Sequence, residues 1–499
     1  MSQGRILAFV LAALTGLRWW WNFARPLSAE ESYLALCGFV PSFAYFDGPG
    51  GTPWLVALGI SAAGTGGFGA VFFWPVLAAL ASVATYFLVS ALIGKREGLA
   101  LAVLLNLLPV FNQASLHASC AMPLAAASLG TALCAWHALE KNSAAWWACA
   151  GTCAGVALLF SYTAWFLVPV IALVLLVSHR WRRRLALPGF WVAWVPPVAV
   201  CLLLLQWNSR HGWIHFIGGT WRTSLTLDFA KLGPSLVFAA TALSPLVLVM
   251  LGTAAFFSVP RLGVSPKIKF VFLPAAAALL AAVYAALRGL PTEAAGLMAV
   301  SLALPLTAWL PVRFSGFSTR TAASVVFVTA AFWCALTLPR PQTAAFIDAQ
   351  VGRTIDGLRA GQTEPSDAEP MLIAENAPIA AALALALPDG AAASPGHPPV
   401  YTLESAAARS QFDLWPRYDQ FVEAESLGSP AGLDPFTEQD GANQFIGRTA
   451  LYITTQTADD LPQAITAAFT AVQLLQEITA KDGRILRVYL CSDYQTMPL

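Results

Sequence analysis

About eleven apolar runs, most near the ~20 residues a helix needs to cross a ~30 Å hydrocarbon core, dominate this sequence. They fall at about 5–24, 68–93, 98–116, 119–139, 144–161, 162–178, 189–207, 234–258, 269–287, 293–310 and 321–338. Only 11% of the residues are charged, against ~25% in a soluble protein. The chain therefore reads as a polytopic α-helical membrane protein. The first run is not expected to be a secretory leader, because Arg18 and Trp19-Trp20-Trp21 stand where a small-residue cleavage site is required. It reads as an uncleaved span with an aromatic interface anchor.

Charge sets the orientation. Residues 1–338 hold 19 Lys+Arg and 7 Asp+Glu, and residues 339–499 hold 9 and 20, so the parts carry about +12 and −11. A basic membrane part needs no nucleic acid to explain it, since the positive-inside rule produces the same imbalance. Alternate short loops, together with Arg5, hold 13 basic residues, including Lys95-Arg96, Arg180 and Arg182-Arg183-Arg184, against five on the other side. The N-terminus is thus expected in the cytoplasm, and an odd span count places residues 339–499 outside. Five of the seven acids of the membrane part, Glu30, Glu31, Asp47, Asp228 and Glu293, then lie on the outer side. Any chemistry should face outward. The eight cysteines form neither CxxC pairs nor His-associated metal spacings and read as small buried hydrophobes.

Two domains are expected: residues 1–338 in the membrane, including a first outer loop at 25–67, and a soluble extracytoplasmic α/β domain at 339–499. The loop is too long and polar for a hairpin, yet Trp54–Ala63 is apolar and helix-compatible, so one or two short interfacial helices should form there. Gly48-Pro49-Gly50-Gly51 breaks it. In the tail an amphipathic stretch runs to Leu358, strand-like runs at 371–375, 399–403, 449–454 and 485–490 alternate with helix-like runs at 378–387 and 461–479, and no P-loop or GxGxxG occurs.

Apart from Arg18 near a membrane interface, the spans hold no carboxylate and no basic residue near the bilayer centre, which weighs against an ion-coupled transporter. Polar residues gather instead in two outer loops. One contains Glu30-Glu31-Ser32-Tyr33 and Tyr45-Phe46-Asp47, and the other contains Trp207-Asn208-Ser209-Arg210-His211-Gly212-Trp213 with Arg222 following. Carboxylates can take a proton from a nucleophile or hold a divalent cation, and Arg or His can neutralise a phosphate leaving group. Such a set suits transfer of a group from a phosphate-linked lipid; the same residues can also simply solvate loops, with Glu31 paired to Arg25 and Asp47 capping the Gly-Pro turn.

The order of the short motifs adds to this. Glu30-Glu31-Ser32-Tyr33-Leu34, Tyr45-Phe46-Asp47-Gly48-Pro49-Gly50, Asn106-Leu107-Leu108-Pro109, Leu159-Phe160-Ser161-Tyr162-Thr163, the Trp-Asn-x-x-His-Gly-Trp element at 207–213 and Ser410-Gln411-Phe412-Asp413-Leu414-Trp415-Pro416 follow one another down the chain. The series resembles bacterial family 39-type glycosyltransferases of the GT-C superfamily, relatives of the protein O-mannosyltransferases and of the lipid A aminoarabinose transferase. The resemblance implies a GT-C-like fold of about 11 transmembrane helices with a periplasmic α/β domain. It implies a multi-pass enzyme of the cytoplasmic membrane that moves a sugar from a polyprenyl-phosphate donor to an acceptor on the outer face. Glu30 and Asp47 would be the catalytic residues, with Glu31, Tyr33, Tyr162, Asn208, Arg210, His211 and Arg222 contacting substrate. A divalent cation is a candidate cofactor, although no complete ligand set is visible.

The sequence departs from the pattern at several reactive positions. The family's first Asp is Glu30, its His-Pro-Pro is Gly48-Pro49-Gly50, an Asp is replaced at Ala121, and a Lys is replaced by Ser161. The alternative reading is a non-catalytic descendant that binds a lipid-linked sugar; a flippase or transporter stands third.

Overall fold

The computed structural model describes residues 3–217, 230, 232–288, 292–309, 319–337, 346–362, 369–388, 400–404, 408–418, 445–457 and 460–495. They fall into two compact units: Met1–Ala24 with Gly48–Pro341, and Arg25–Asp47 with Gln342–Leu499. The 25–47 half of the first outer loop thus groups with the C-terminal residues.

The first unit is helical. Among the described residues, five helices are long and apolar enough to span a membrane, a bent pair makes a sixth, and shorter apolar helices such as Ala144–Leu158 and Glu293–Trp309 accompany them. The chain is a multi-pass membrane protein. Two runs that read as single spans are broken. Lys95–Asn106 and Pro109–Leu116 are bent by 64°, because Pro109 has no N–H to continue the ladder. In hydrocarbon every freed backbone group needs an internal partner. Asn112 Nδ2 accordingly donates to the Asn106 carbonyl at 2.5 Å, and Asn106 Nδ2 to Ser82 Oγ at 2.7 Å. The buried Arg18 closes the network, donating through Nη2 to Asn106 Oδ1 at 3.0 Å and to Asn112 Oδ1 at 2.8 Å. The expected 234–258 span is likewise two helices, Leu232–Leu243 and Pro245–Ser258, parted at Ser244, whose φ is +67°. Pro245 there begins a helix but cannot continue one.

Close packing in this unit depends on small residues. A Cβ at Gly151, on Ala144–Leu158, would collide with the Ala193 carbonyl oxygen of the neighbouring helical segment.

The second unit is an α/β body. Among the described residues its main sheet has five strands, β1 (Met371–Ala374), β2 (Tyr401–Thr402), β3 (Ala450–Thr454), β4 (Phe469–Thr479) and β5 (Ile485–Tyr494), in the order β2-β1-β3-β5-β4. β1 pairs parallel with β2 and β3, and β5 pairs antiparallel with β3 and β4. Ile373, Tyr452, Phe469, Tyr489 and Tyr494 form its core. The helix Ala29–Phe39 packs on Ala377–Ala386 in this unit. One expectation fails. Residues 461–479 are not one helix: a single helical turn, Gln463–Thr466, is followed by β4. The Lys481-Asp482-Gly483 turn, with Gly483 at φ +87°, folds β4 back onto β5. Cross-strand pairing overrides the helix-favouring Ala, Leu, Gln and Glu of that run.

The helical membrane portion with a C-terminal sheet domain is the architecture the resemblance implied.

Candidate functional site

The candidate residues divide between the units. In the second, Ser28 caps the helix Ala29–Phe39 through a capping box: Glu31 N–H donates to Ser28 Oγ (3.1 Å), and Glu31 Oε2 accepts from Ser28 N–H (3.0 Å). Glu31 is buried and meets Arg25 through two bonds of 2.6 and 2.8 Å, each side chain 4% exposed. Its carboxylate is thereby committed to the local frame. Glu30, one residue earlier, is exposed on the first turn and makes no hydrogen bond or ion pair among the described residues.

Spaced i, i+4, about one helical turn, Tyr33 and Cys37 lie on one side of the helix. The Tyr33 hydroxyl donates to Asp47 Oδ2 at 2.5 Å and accepts from the Gln411 N–H at 2.9 Å. Phe46 N–H donates to Gln411 Oε1 at 2.8 Å, and the Tyr33 ring stacks on Phe412 at 6.3 Å. Surrounding protein pushes the Asp47 carboxyl above its ordinary range, partly offset by the Tyr33 hydrogen bond. Burial, and then the nearby Cys37 and Asp47, push the Tyr33 hydroxyl strongly upward, so it stays a protonated donor. Cys37 is raised by burial and by Asp47.

In the first unit, Tyr162 begins the helical stretch that continues as Leu167–Val177, and Asn208 sits near the end of Val195–Arg210. Asn208 Oδ1 accepts from His215 N–H at 3.2 Å, which turns the amide nitrogen toward Tyr162 Oη (3.3 Å) and His215 Nδ1 (3.1 Å). That nitrogen carries two hydrogens and also donates to the Leu204 carbonyl at 2.9 Å, while the Tyr162 hydroxyl and His215 Nδ1 pair at 2.6 Å, the donor being set by the imidazole tautomer. Trp207 stacks on His211 at 4.0 Å and on His215 at 5.0 Å, and His211 Nδ1 lies 2.8 Å from the Trp207 carbonyl. Arg210 is exposed. The cluster presents aromatic faces, imidazoles and an arginine, chemistry suited to a sugar ring and a phosphate. Arg222 lies outside the described residues.

The sequence reading missed His215. Its signal was spacing: it stands seven residues after Asn208, two helical turns on, although the intervening Gly212 and Trp213 (φ +62° and +57°) break the helix. The reading also gave Gln411 no role of its own. Among the described residues no three His, Cys, Asp or Glu side chains gather as a metal-ligand set.

The family described as dolichyl-phosphate-mannose-protein mannosyltransferase matches residues 47–207. No curated protein matches the sequence. Among solved structures the chain is similar to ArnT from Cupriavidus metallidurans in the apo state, with 16% identity, a TM-score of 0.57 and 98% of each chain covered. It is similar to the same protein bound to undecaprenyl phosphate, with 15% identity, a TM-score of 0.58 and again 98% of each chain covered. The likeness extends over nearly the whole of both chains, so this chain has the ArnT fold.

Proposed function

We propose that this protein is a membrane glycosyltransferase, moving one sugar from a polyprenyl-phosphate donor to an acceptor on the outer face of the cytoplasmic membrane. One observation carries the reading. Three short sequence motifs, at 30–34, 45–50 and 410–416, resemble the same enzyme family, and residues from all three meet in one hydrogen-bonded cluster around Asp47. Tyr33 and Gln411 are bonded although 378 residues apart in the chain. Loops that merely solvate a surface have no reason to converge in this way. The ArnT fold, seen with undecaprenyl phosphate bound to that protein, supports the donor class by analogy.

In the proposed reaction an acceptor hydroxyl attacks the anomeric carbon and its proton passes to a carboxylate. The bond from that carbon to the phosphate oxygen breaks, its electron pair leaving with the polyprenyl phosphate, and the configuration inverts. Glu30, exposed and unpaired among the described residues, is the candidate base. Asp47, held by Tyr33, orients the acceptor. By the resemblance, Arg210, His211 and Arg222 are the groups assigned to neutralise the leaving phosphate, and Tyr162 and Asn208 those assigned to the donor headgroup. Because no ligand set is present among the described residues, no step is routed through a divalent cation.

A second reading, donor binding without turnover, is favoured by the substituted positions Gly48, Ala121 and Ser161. Purified protein, a polyprenyl-phosphate sugar and a candidate acceptor separate the two. Turnover that falls at least a hundredfold in Glu30→Ala supports the transferase and its base. Tight donor binding with no turnover in any condition supports the binding protein.

A further inference from the structure

The 410–416 motif has no task in the chemistry just described, yet its geometry supplies one. Asp413 builds the turn. Its Oδ2 accepts from the N–H groups of Arg409 and Ser410, both at 2.8 Å, while Oδ1 accepts from Arg417 at 3.2 Å. The Asp413 side chain is only 4% exposed. This frame fixes Gln411, itself buried, in a 3-10 turn. Both polar faces of Gln411 then address the 33–47 segment. Its N–H donates to the Tyr33 hydroxyl, which donates to Asp47, and its Oε1 accepts from the N–H of Phe46, the residue bonded to Asp47. One residue thus restrains Asp47 twice: its backbone N–H through the phenol bonded to the carboxylate, and its side-chain Oε1 through the backbone before Asp47, the second being the bond that replacing the side chain removes.

We propose that Gln411 is a positioning residue for Asp47, coupling the C-terminal domain to the reaction by holding that carboxylate in one orientation. The proposal rests on the reading of Asp47 as part of the reacting site. A neutral amide suits the task. An acidic side chain at 411 keeps the acceptor for Phe46 but adds a negative charge beside Asp47. Among the described residues of this unit the titratable groups facing Asp47 are Tyr33, one hydrogen bond away, and Cys37 on the helix that carries Tyr33; Asp413 and Arg417 face each other inside the turn. Phe412, stacked on Tyr33 and edge-on to Trp415 at 5.2 Å, limits the swing of the phenol ring.

The test uses the full chain in detergent micelles, with hydrogen exchange over residues 44–47 and transfer kinetics read on the same samples. Gln411→Ala is expected to speed exchange of the Phe46 amide about tenfold. It should lower kcat about 10- to 100-fold with the donor KM within twofold. Gln411→Glu is expected to keep the amide protected yet move the acid limb of the pH–rate profile upward, since a second negative charge disfavours ionised Asp47. The proposal is overturned if Gln411→Ala leaves exchange and kcat as in wild type, or if exchange rises evenly across the whole unit, which marks a general folding defect. Asp47→Asn separates the two levels. Lost transfer in Asp47→Asn beside a fully active Gln411→Ala refutes only the positioning role, whereas a fully active Asp47→Asn refutes the reading of Asp47 on which it rests.

Discussion

Replacing Glu31 by Ala removes the carboxylate from a buried bidentate pair and leaves the Arg25 guanidinium, 4% exposed, without it. Removing one partner of a buried pair costs about 3–5 kcal/mol, because the remaining charge stays desolvated. The same substitution opens the capping box with Ser28, a loss of about 1 kcal/mol. Together the change is about 4 kcal/mol or more, and since 1.4 kcal/mol is a factor of ten, the helix Ala29–Phe39 should open about a thousandfold more often. Hydrogen exchange of its amides reads this directly, as local opening, without requiring the whole chain to unfold reversibly. A double replacement, Arg25→Met with Glu31→Leu, should restore most of the protection, because a well-packed apolar pair often equals a buried ionic one. Exchange in Glu31→Ala within threefold of wild type would refute the reasoning. The double variant also settles what Glu31 is for: restored protection with restored transfer makes it structural, and restored protection with transfer still lost makes it a substrate contact.

Asp47 gives a prediction of opposite sign. Its carboxyl is raised in the folded state, so the stability linked to its protonation is present below the unfolded value of 3.8 and is lost as pH rises through the folded value. Asp47→Asn should therefore melt no lower than wild type at neutral pH while losing transfer; a lower melting temperature would contradict this. Arg18→Met leaves the Asn106 and Asn112 carbonyl oxygens without their charged donor and should cost about 2–3 kcal/mol, seen as a lower melting temperature in detergent, whereas an unchanged one counts against the network. At Gly151 even Ala meets the Ala193 carbonyl, so Gly151→Leu should abolish recovery of monodisperse protein, and normal recovery would show that the helices can part there. His215→Ala removes the hydrogen-bond partner of the Tyr162 hydroxyl and should weaken donor binding about tenfold by titration; unchanged binding removes His215 from the site.

That the chain crosses a membrane several times was legible, because a bilayer demands a length and an apolarity that few other structures need; of the eleven expected spans, five helices, or six with the bent pair, have that length and apolarity among the described residues. The bend before Pro109 was latent in Asn106-Leu107-Leu108-Pro109, since a proline there must start a new helix. What closes it, Arg18 reaching across 88 residues to Asn106, is a tertiary contact with no local signature. The β4 strand was misread because its side chains are mostly exposed, so no alternation of buried and open positions marks it; the Asp-Gly turn at 482–483 was the better guide. In the site, motif order pointed to Tyr33, Asp47, Tyr162 and Asn208, and the structure bonds Tyr33 to Asp47 and Tyr162 to Asn208. Glu31 joins Arg25, a pairing the local spacing did suggest. The grouping of residues 25–47 with the C-terminal residues was not legible, because it is made by packing between helices more than 300 residues apart and by Gln411.

The central claim is sugar transfer from a lipid phosphate, and a single-turnover assay tests it most directly. Wild-type protein in micelles is mixed with a radiolabelled polyprenyl-phosphate sugar and an acceptor-containing membrane extract, and the label is followed from lipid to acceptor. The account predicts label transfer with release of polyprenyl phosphate, and at least a hundredfold less in Glu30→Ala at undiminished donor binding. Label that stays on the bound lipid in wild type, across acceptors and pH, would contradict it.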